Sequence, residues 1–180
     1  MQVERARQIA EGLLAEPLPS RWAHPQGVAA AARRLAPILV ENADLLEAAA
    51  WLHDIGYAPP IAHVGFHPLD GARYLRDSEN ADPLLCAIVA YHTGAVREAH
   101  ERDLGADLEN EFAPPPEFLL DAITYCDLTT GPDGNEMDVK ARIADIVHRY
   151  GVDHPVSKVA LRSSASWFES VRRIETRLAS

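Results

Sequence analysis

Residues 44–56 read Asp44-Leu45-Leu46-Glu47-Ala48-Ala49-Ala50-Trp51-Leu52-His53-Asp54-Ile55-Gly56. Asp44 followed by Glu47 has the form of a capping box, and Gly56 is a natural stop, so the stretch predicts a helix over 45–54. Its apolar composition marks it as buried. An ionisable His53-Asp54 pair at the end of a buried helix is costly unless something neutralises and ligates it. A transition-metal ion does both, because neutral imidazole and carboxylate are among its natural ligands. A surface pair at a helix C-terminus, where histidine is electrostatically favoured, explains the dipeptide equally well.

Helical spacing continues on both sides. Val3, Ala6, Ile9/Ala10 and Leu13/Leu14 recur at the period of one helix face, and Pro17 and Pro19 close that segment. An alanine-rich helix is predicted from about Arg21 to Val40, kinked or ended by Pro37. Pro68 suits the first turn of a short helix reaching Asp77, and Asp82-Pro83 opens another that ends near His92, before Gly94. Pro114-Pro115-Pro116 leads into a helix from Glu117 to about Leu128, and Thr130-Gly131-Pro132-Asp133-Gly134 is a turn cluster. Two amphipathic helices follow, one on Val139, Ile143, Ile146/Val147 and Tyr150, the other on Leu161, Phe168, Val171, Ile174 and Leu178. No long alternating run suggests a half-buried sheet, and no internal repeat or linker is visible. The expectation is an all-α bundle, a single domain over residues 1–180.

Composition narrows the function classes. The chain has 180 residues, 47% of them hydrophobic and 24% charged, enough to bury a core without disulfide or structural metal. A net charge of -10 from 17 Lys+Arg against 27 Asp+Glu lacks the basic footprint of a nucleic-acid-polymer binder. It leaves room for small anionic substrates at a local positive site. Cys86 and Cys126 lie in apolar runs and read as reduced core thiols of a cytoplasmic protein. Neither a signal-peptide stretch nor a run of ~18 apolar residues is present, so no membrane association is expected.

The histidines and aspartates are informative in their order. His24 lies on an earlier helix than His53-Asp54, His67 and His92 fall at helix ends, and Asp127 lies near the end of the helix led by the prolines. Any one of these histidines alone reads as a hydrogen-bonded or surface residue. In sequence they read His24, then His53-Asp54-Ile55-Gly56, then His67 in His67-Pro68-Leu69-Asp70-Gly71-Ala72, then His92 in Ala87-Ile88-Val89-Ala90-Tyr91-His92-Thr93-Gly94, then Asp127-Leu128-Thr129. This pattern resembles the HD superfamily of metal-dependent phosphohydrolases, over roughly residues 20–131. The C-terminal helices, 132–180, then pack on or extend an HD-type helical bundle. His67 and His92 resemble the second-metal ligands of the dinuclear members, in particular the small bacterial branch that hydrolyses diadenosine tetraphosphate. That branch usually carries a lysine shortly after the HD pair, where this chain has Gly56-Tyr57.

The resemblance implies two divalent transition-metal ions. One is held by His24, His53, Asp54 and Asp127, the other by His67 and His92, with Asp54 bridging and so catalytic. Such a ligand set suits iron or manganese, with zinc, cobalt or nickel also compatible, rather than magnesium or calcium. The implied reaction is attack on phosphorus by a hydroxide activated by the two metals, on a small phosphorylated substrate such as a nucleotide or dinucleoside polyphosphate. Neither a G-x-S-x-G elbow nor a G-x-x-x-x-G-K-[ST] loop is present.

Arg21, three residues before His24, shares nearly its helix face and is the candidate for binding substrate phosphate; a solvated arginine fits as well. His63 reads as a loop histidine, Arg97 and His100 as part of a mixed-charge surface, and His148 and His154 as surface residues. Trp167, Phe168 and Val171 read as core or dimer contacts, in a monomer or homodimer. Two rival functions share the ligand set: an HD-type oxygenase with mixed-valent di-iron, and a metal- or nucleotide-binding regulatory module without turnover.

Overall fold

A computed structural model describes all 180 residues. Eleven α-helices make up the chain: α1 Val3–Leu14, α2 Pro19–Arg34, α3 Ala36–Leu39, α4 Ala43–Leu52, α5 His67–Asp77, α6 Pro83–Tyr91, α7 Ala95–Glu101, α8 Gly105–Glu111, α9 Glu117–Leu128, α10 Val139–Tyr150 and α11 Pro155–Leu178. There is no strand, only an isolated bridge between Thr130 and Glu136. The all-α expectation holds. No helix is long and apolar enough to cross a membrane.

Helix α4 is the central element. Leu46, Ala48, Ala49, Ala50, Trp51 and Leu52 are all buried, an apolar surface wide enough to be covered from several sides. It packs against α1, α2, α6 and α9. Its alanines let neighbouring helices approach closely, while Leu46 and Leu52 are fully buried, each worth about 1.5–3 kcal/mol of burial. Helix α1 contributes Ala6, Ile9, Ala10 and Leu14 to the same core. Helices α10 and α11 close a smaller cluster of their own, built on Leu128, Val139, Ile143, Ile146, Val159 and Trp167. Helix α11 also lies along α9.

Four local expectations are corrected. The segment from Arg21 to Val40 is two helices, broken at Leu35, with Pro37 in the first turn of α3, where its missing N–H costs no bond. Pro25 lies inside α2. Asp44 is not the cap of α4: Asn42 holds that position without a side-chain bond, Asp44 sits in the first turn, and Glu47 pairs with Arg33 of α2 at 2.8 Å. The stretch after His92 is not all surface, because it forms α7 and α8, and Glu98 is buried beside Arg102. On α11, Leu161 and Leu178 are exposed, and the buried face runs instead through Val159, Ala160, Ser163, Trp167, Val171 and Ile174.

Both cysteines are buried and unpaired. Burial pushes the Cys86 thiol up to about 11, and pushes Cys126 further in the same direction.

Candidate metal centre

His53 and Asp54 leave the end of α4 and enter a 3₁₀ turn, Ile55–Tyr57. Gly56 in that turn lies against the backbone carbonyl of His67, with no room for a β-carbon. The start of α5, and with it His67, is thereby seated beside the HD pair. A similar close approach places His24. Gly27 of α2 packs on the Gly134 carbonyl, and Gly134 on that of Ala23. The turn cluster at 130–134 therefore docks on α2 around His24. Helix α6 delivers His92 at its C-terminal end, and α9 delivers Asp127 in its last turn.

The ring orientations follow from backbone acceptors. Nδ1–H of His53 donates to the Ala50 carbonyl at 2.8 Å, that of His92 to Val89 at 2.7 Å and that of His24 to Gly131 at 3.0 Å. A carbonyl only accepts, so each Nδ1 carries a proton and each ring turns its Nε2 inward. Those nitrogens converge. His24 Nε2 lies 3.0 Å from Asp127 Oδ1, and His92 Nε2 lies 3.2 Å from His67 Nε2. Asp54 Oδ1 is 3.5 Å from His53 Nε2 and 3.4 Å from His67 Nε2. His53 Nε2 is buried with no hydrogen-bond partner at all.

Six residues thus form two abutting groups, His24–His53–Asp127 and Asp54–His67–His92, in each of which the potential ligand atoms lie within 4.8 Å of one another. Asp54 faces both. When their rings are neutral, the Nε2 lone pairs of His24 and His53 face carboxylate oxygens and are repelled unless a cation lies between them. The orphaned His53 Nε2 and the backbone carbonyls that orient three imidazoles therefore fit a site for divalent metal.

The electrostatics point the same way. Burial opposes ionisation of Asp54, but His53, His67 and His24 outweigh it and hold the carboxyl well below the usual range. Burial likewise opposes ionisation of Asp127, which His24, His53 and Arg142 nevertheless keep ionised. His67 is pushed well below its ordinary value, first by burial and then by His92 and His53, against the pull of Asp54. His92 is lowered by burial and by His53. Ionised Asp54 and Asp127 and unprotonated His67 and His92 are the forms in which these groups bind a metal ion.

The centre opens into a cavity of about 370 Å³. Arg21 lines it, half-buried, with its guanidinium 3.6 Å above the Tyr57 ring. Tyr57 in turn stacks on His67 at 4.0 Å, with 13° between the planes. An Arg21 Nη2–H donates to the Tyr150 hydroxyl at 3.3 Å. His63, Arg97, His100 and His148 are exposed and line no part of this cavity, while the side chain of His154 caps α11. Trp167, expected as core or dimer contact, is buried and also forms cavity wall, against Gly94. Arg142, Arg149, Tyr150, Tyr57 and Glu98 line the cavity too, and none of them was among the candidate site residues. One available signal was spacing, since Arg142, Arg149 and Tyr150 recur at i, i+7 and i+8 of one helix.

A family model described as HD domain matches residues 21–152. No curated protein and no solved structure matches the chain.

Proposed function

The chain belongs to the HD domain family, and from that membership we propose that it is a metal-dependent phosphohydrolase acting on a small phosphorylated compound, a nucleotide or dinucleoside polyphosphate. The observation that carries this reading is the pair of abutting His/Asp groups, with Asp54 of one facing His53 of the other, in an arginine-lined cavity. His24, His53 and Asp127 would hold one ion and His67 and His92 the other, with Asp54 between them. Two such ions supply Lewis-acid charge at phosphorus and a water of lowered pKa.

The rest of the chemistry belongs to the chain's own groups. Asp54, which faces His53 and His67 alike, would be the carboxylate shared between the two ions and would help to orient the attacking water. The carbonyls of Ala50, Val89 and Gly131 lock the three rings, so no reorganisation accompanies the reaction. Arg21 takes a phosphate oxygen. Its charge stands over Tyr57, in the part of the chain where the diadenosine-tetraphosphate branch has a lysine, so a cation from α2 replaces one from the loop.

The deciding experiment is a panel of nucleotides and dinucleoside polyphosphates incubated with protein reconstituted separately with iron, manganese, cobalt and zinc. Anaerobic release of phosphate or a shorter nucleotide, with one oxygen taken from labelled water, is expected with at least one redox-inert ion. Strict dependence on iron plus dioxygen, with no phosphate formed from any member, overturns the hydrolase in favour of an oxygenase. Metal binding with no turnover under any condition favours the regulatory module.

A further inference from the structure

Arg142 is a buried cation of the cavity wall that this mechanism leaves unused. It sits on α10 at 7% exposure and lines the cavity. A guanidinium carries five N–H donors and no acceptor. Here Nη1 reaches Asp145 Oδ2 at 3.3 Å, and Nη2 lies 3.7 Å from Asp127 Oδ1, beyond hydrogen-bond reach. Nε is buried and has no partner.

Both acidic neighbours are committed elsewhere. Asp145 accepts a shorter bond from Arg149 Nε at 2.8 Å, and Asp127 faces His24 at 3.0 Å within the first group of ligands. A buried permanent cation with most of its donors unspent is unfavourable unless another anion completes it.

We propose that Arg142 is a substrate clamp, its guanidinium taking non-bridging oxygens of the phosphoryl group that lies against His24, His53 and Asp127. This rests on the phosphohydrolase reading. The surrounding geometry supplies a reason for the placement. Arg142, Arg149 and Tyr150 share one face of α10, and Tyr150 accepts from Arg21, whose guanidinium stands over the Tyr57 ring on His67. A cation therefore flanks each ligand group: Arg142 beside Asp127, and Arg21 on the His67 side. Asp145 lies between Arg142 and Arg149 and orients both. The charge of Arg142 is fixed and its fork is rigid, which suits the growing negative charge on phosphoryl oxygens in the transition state. Helix α10, outside the main core, thereby becomes part of the active site.

The test compares Arg142→Gln and Arg142→Lys with the wild type and with the exposed control Arg97→Gln. Three quantities are read: metal content, binding of inorganic phosphate to the zinc-loaded protein by ³¹P NMR titration, and kcat and KM on the best substrate of the panel. Arg142→Gln is expected to keep its metals and bind phosphate roughly tenfold more weakly or worse, with kcat/KM falling about 10²-fold, since a charge-assisted fork is lost. Arg142→Lys, a point charge without the fork, falls between. If the wild type hydrolyses phosphoesters but Arg142→Gln binds phosphate within about twofold of it, the arginine is a structural ion pair and the clamp is refuted while the hydrolase stands. If the wild type neither binds phosphate nor hydrolyses any panel member, both readings fall. Should Arg142→Gln not fold, Arg142→Lys decides: a loss of about threefold or more in phosphate affinity supports the clamp, and a smaller loss overturns it.

Discussion

Gly56 lies directly against the backbone carbonyl of His67, in a space that admits no β-carbon. The residue two positions after Asp54 therefore decides where a potential ligand of the other helix stands. Gly56→Ala must push α5 away from the HD pair. The expected result is a loss of about 1–3 kcal/mol of stability from overpacking, together with weaker metal uptake at the Asp54–His67–His92 group. Urea unfolding and elemental analysis of the same preparations check both.

Shared ligation by Asp54, as proposed, would have a distinct mutational signature. Purified without chelators, the protein is expected to carry up to two transition-metal ions. His24→Ala should chiefly lower the first and His92→Ala the second, whereas Asp54→Ala should lower both, because its Oδ1 faces His53 and His67 alike. Titration of metal into the three chelated variants reads this directly. Equal, independent losses would show that Asp54 does not bridge.

Removing Arg21 tests substrate binding apart from metal binding. Arg21→Ala leaves all six candidate ligands in place and takes away the guanidinium above Tyr57. KM is expected to rise about tenfold with metal content unchanged, the pattern of a lost binding contact. Steady-state kinetics on the best phosphorylated substrate, paired with elemental analysis, makes the check.

The metal-free protein should lose stability in mild acid. His67 and His92 are held below their ordinary value by burial, so between that value and their folded values the unfolded chain binds protons that the folded chain refuses. Stability then falls as pH drops below about 6.5, by about 1.4 kcal/mol per pH unit for each such group. Asp54 and Asp127 act in a lower window: their depressed values add stability that is present above about pH 4 and lost only below it. Urea unfolding of chelated protein at pH 7.5 and pH 5.5 should show the difference. Bound metal should reduce it, since ions exclude those protons.

The two thiols are expected to be inert in the native state. Burial raises both Cys86 and Cys126, and only the thiolate is a good nucleophile. Iodoacetamide at pH 8 should label neither quickly, and both once urea is added. Fast labelling of Cys86 in the native protein would mean that the α6 end opens readily.

Much of this molecule is local, and so was visible in the chain. Helix periodicity in α1, the Asp82 cap of α6, the prolines before α9 and the histidine–aspartate order all depend on neighbours a few residues away. The break at Leu35 was half visible, because Pro37 marks it without saying which side of it the helix ends. The true cap of α4 was misread because Glu47 is drawn across to Arg33, a partner that only tertiary packing supplies. The sequence alone determined an all-α chain with six candidate ligands in a definite order. Tertiary structure decided that those six converge as two abutting groups, with Asp54 Oδ1 near His53 of one and His67 of the other. It also decided that a helix more than a hundred residues beyond His24 supplies Arg142, Arg149 and Tyr150 to the same cavity. The physical reason is distance along the chain. A side chain's helical face can be read from periodicity, but which distant face it meets depends on how the cores of α4 and of α10 and α11 close on one another.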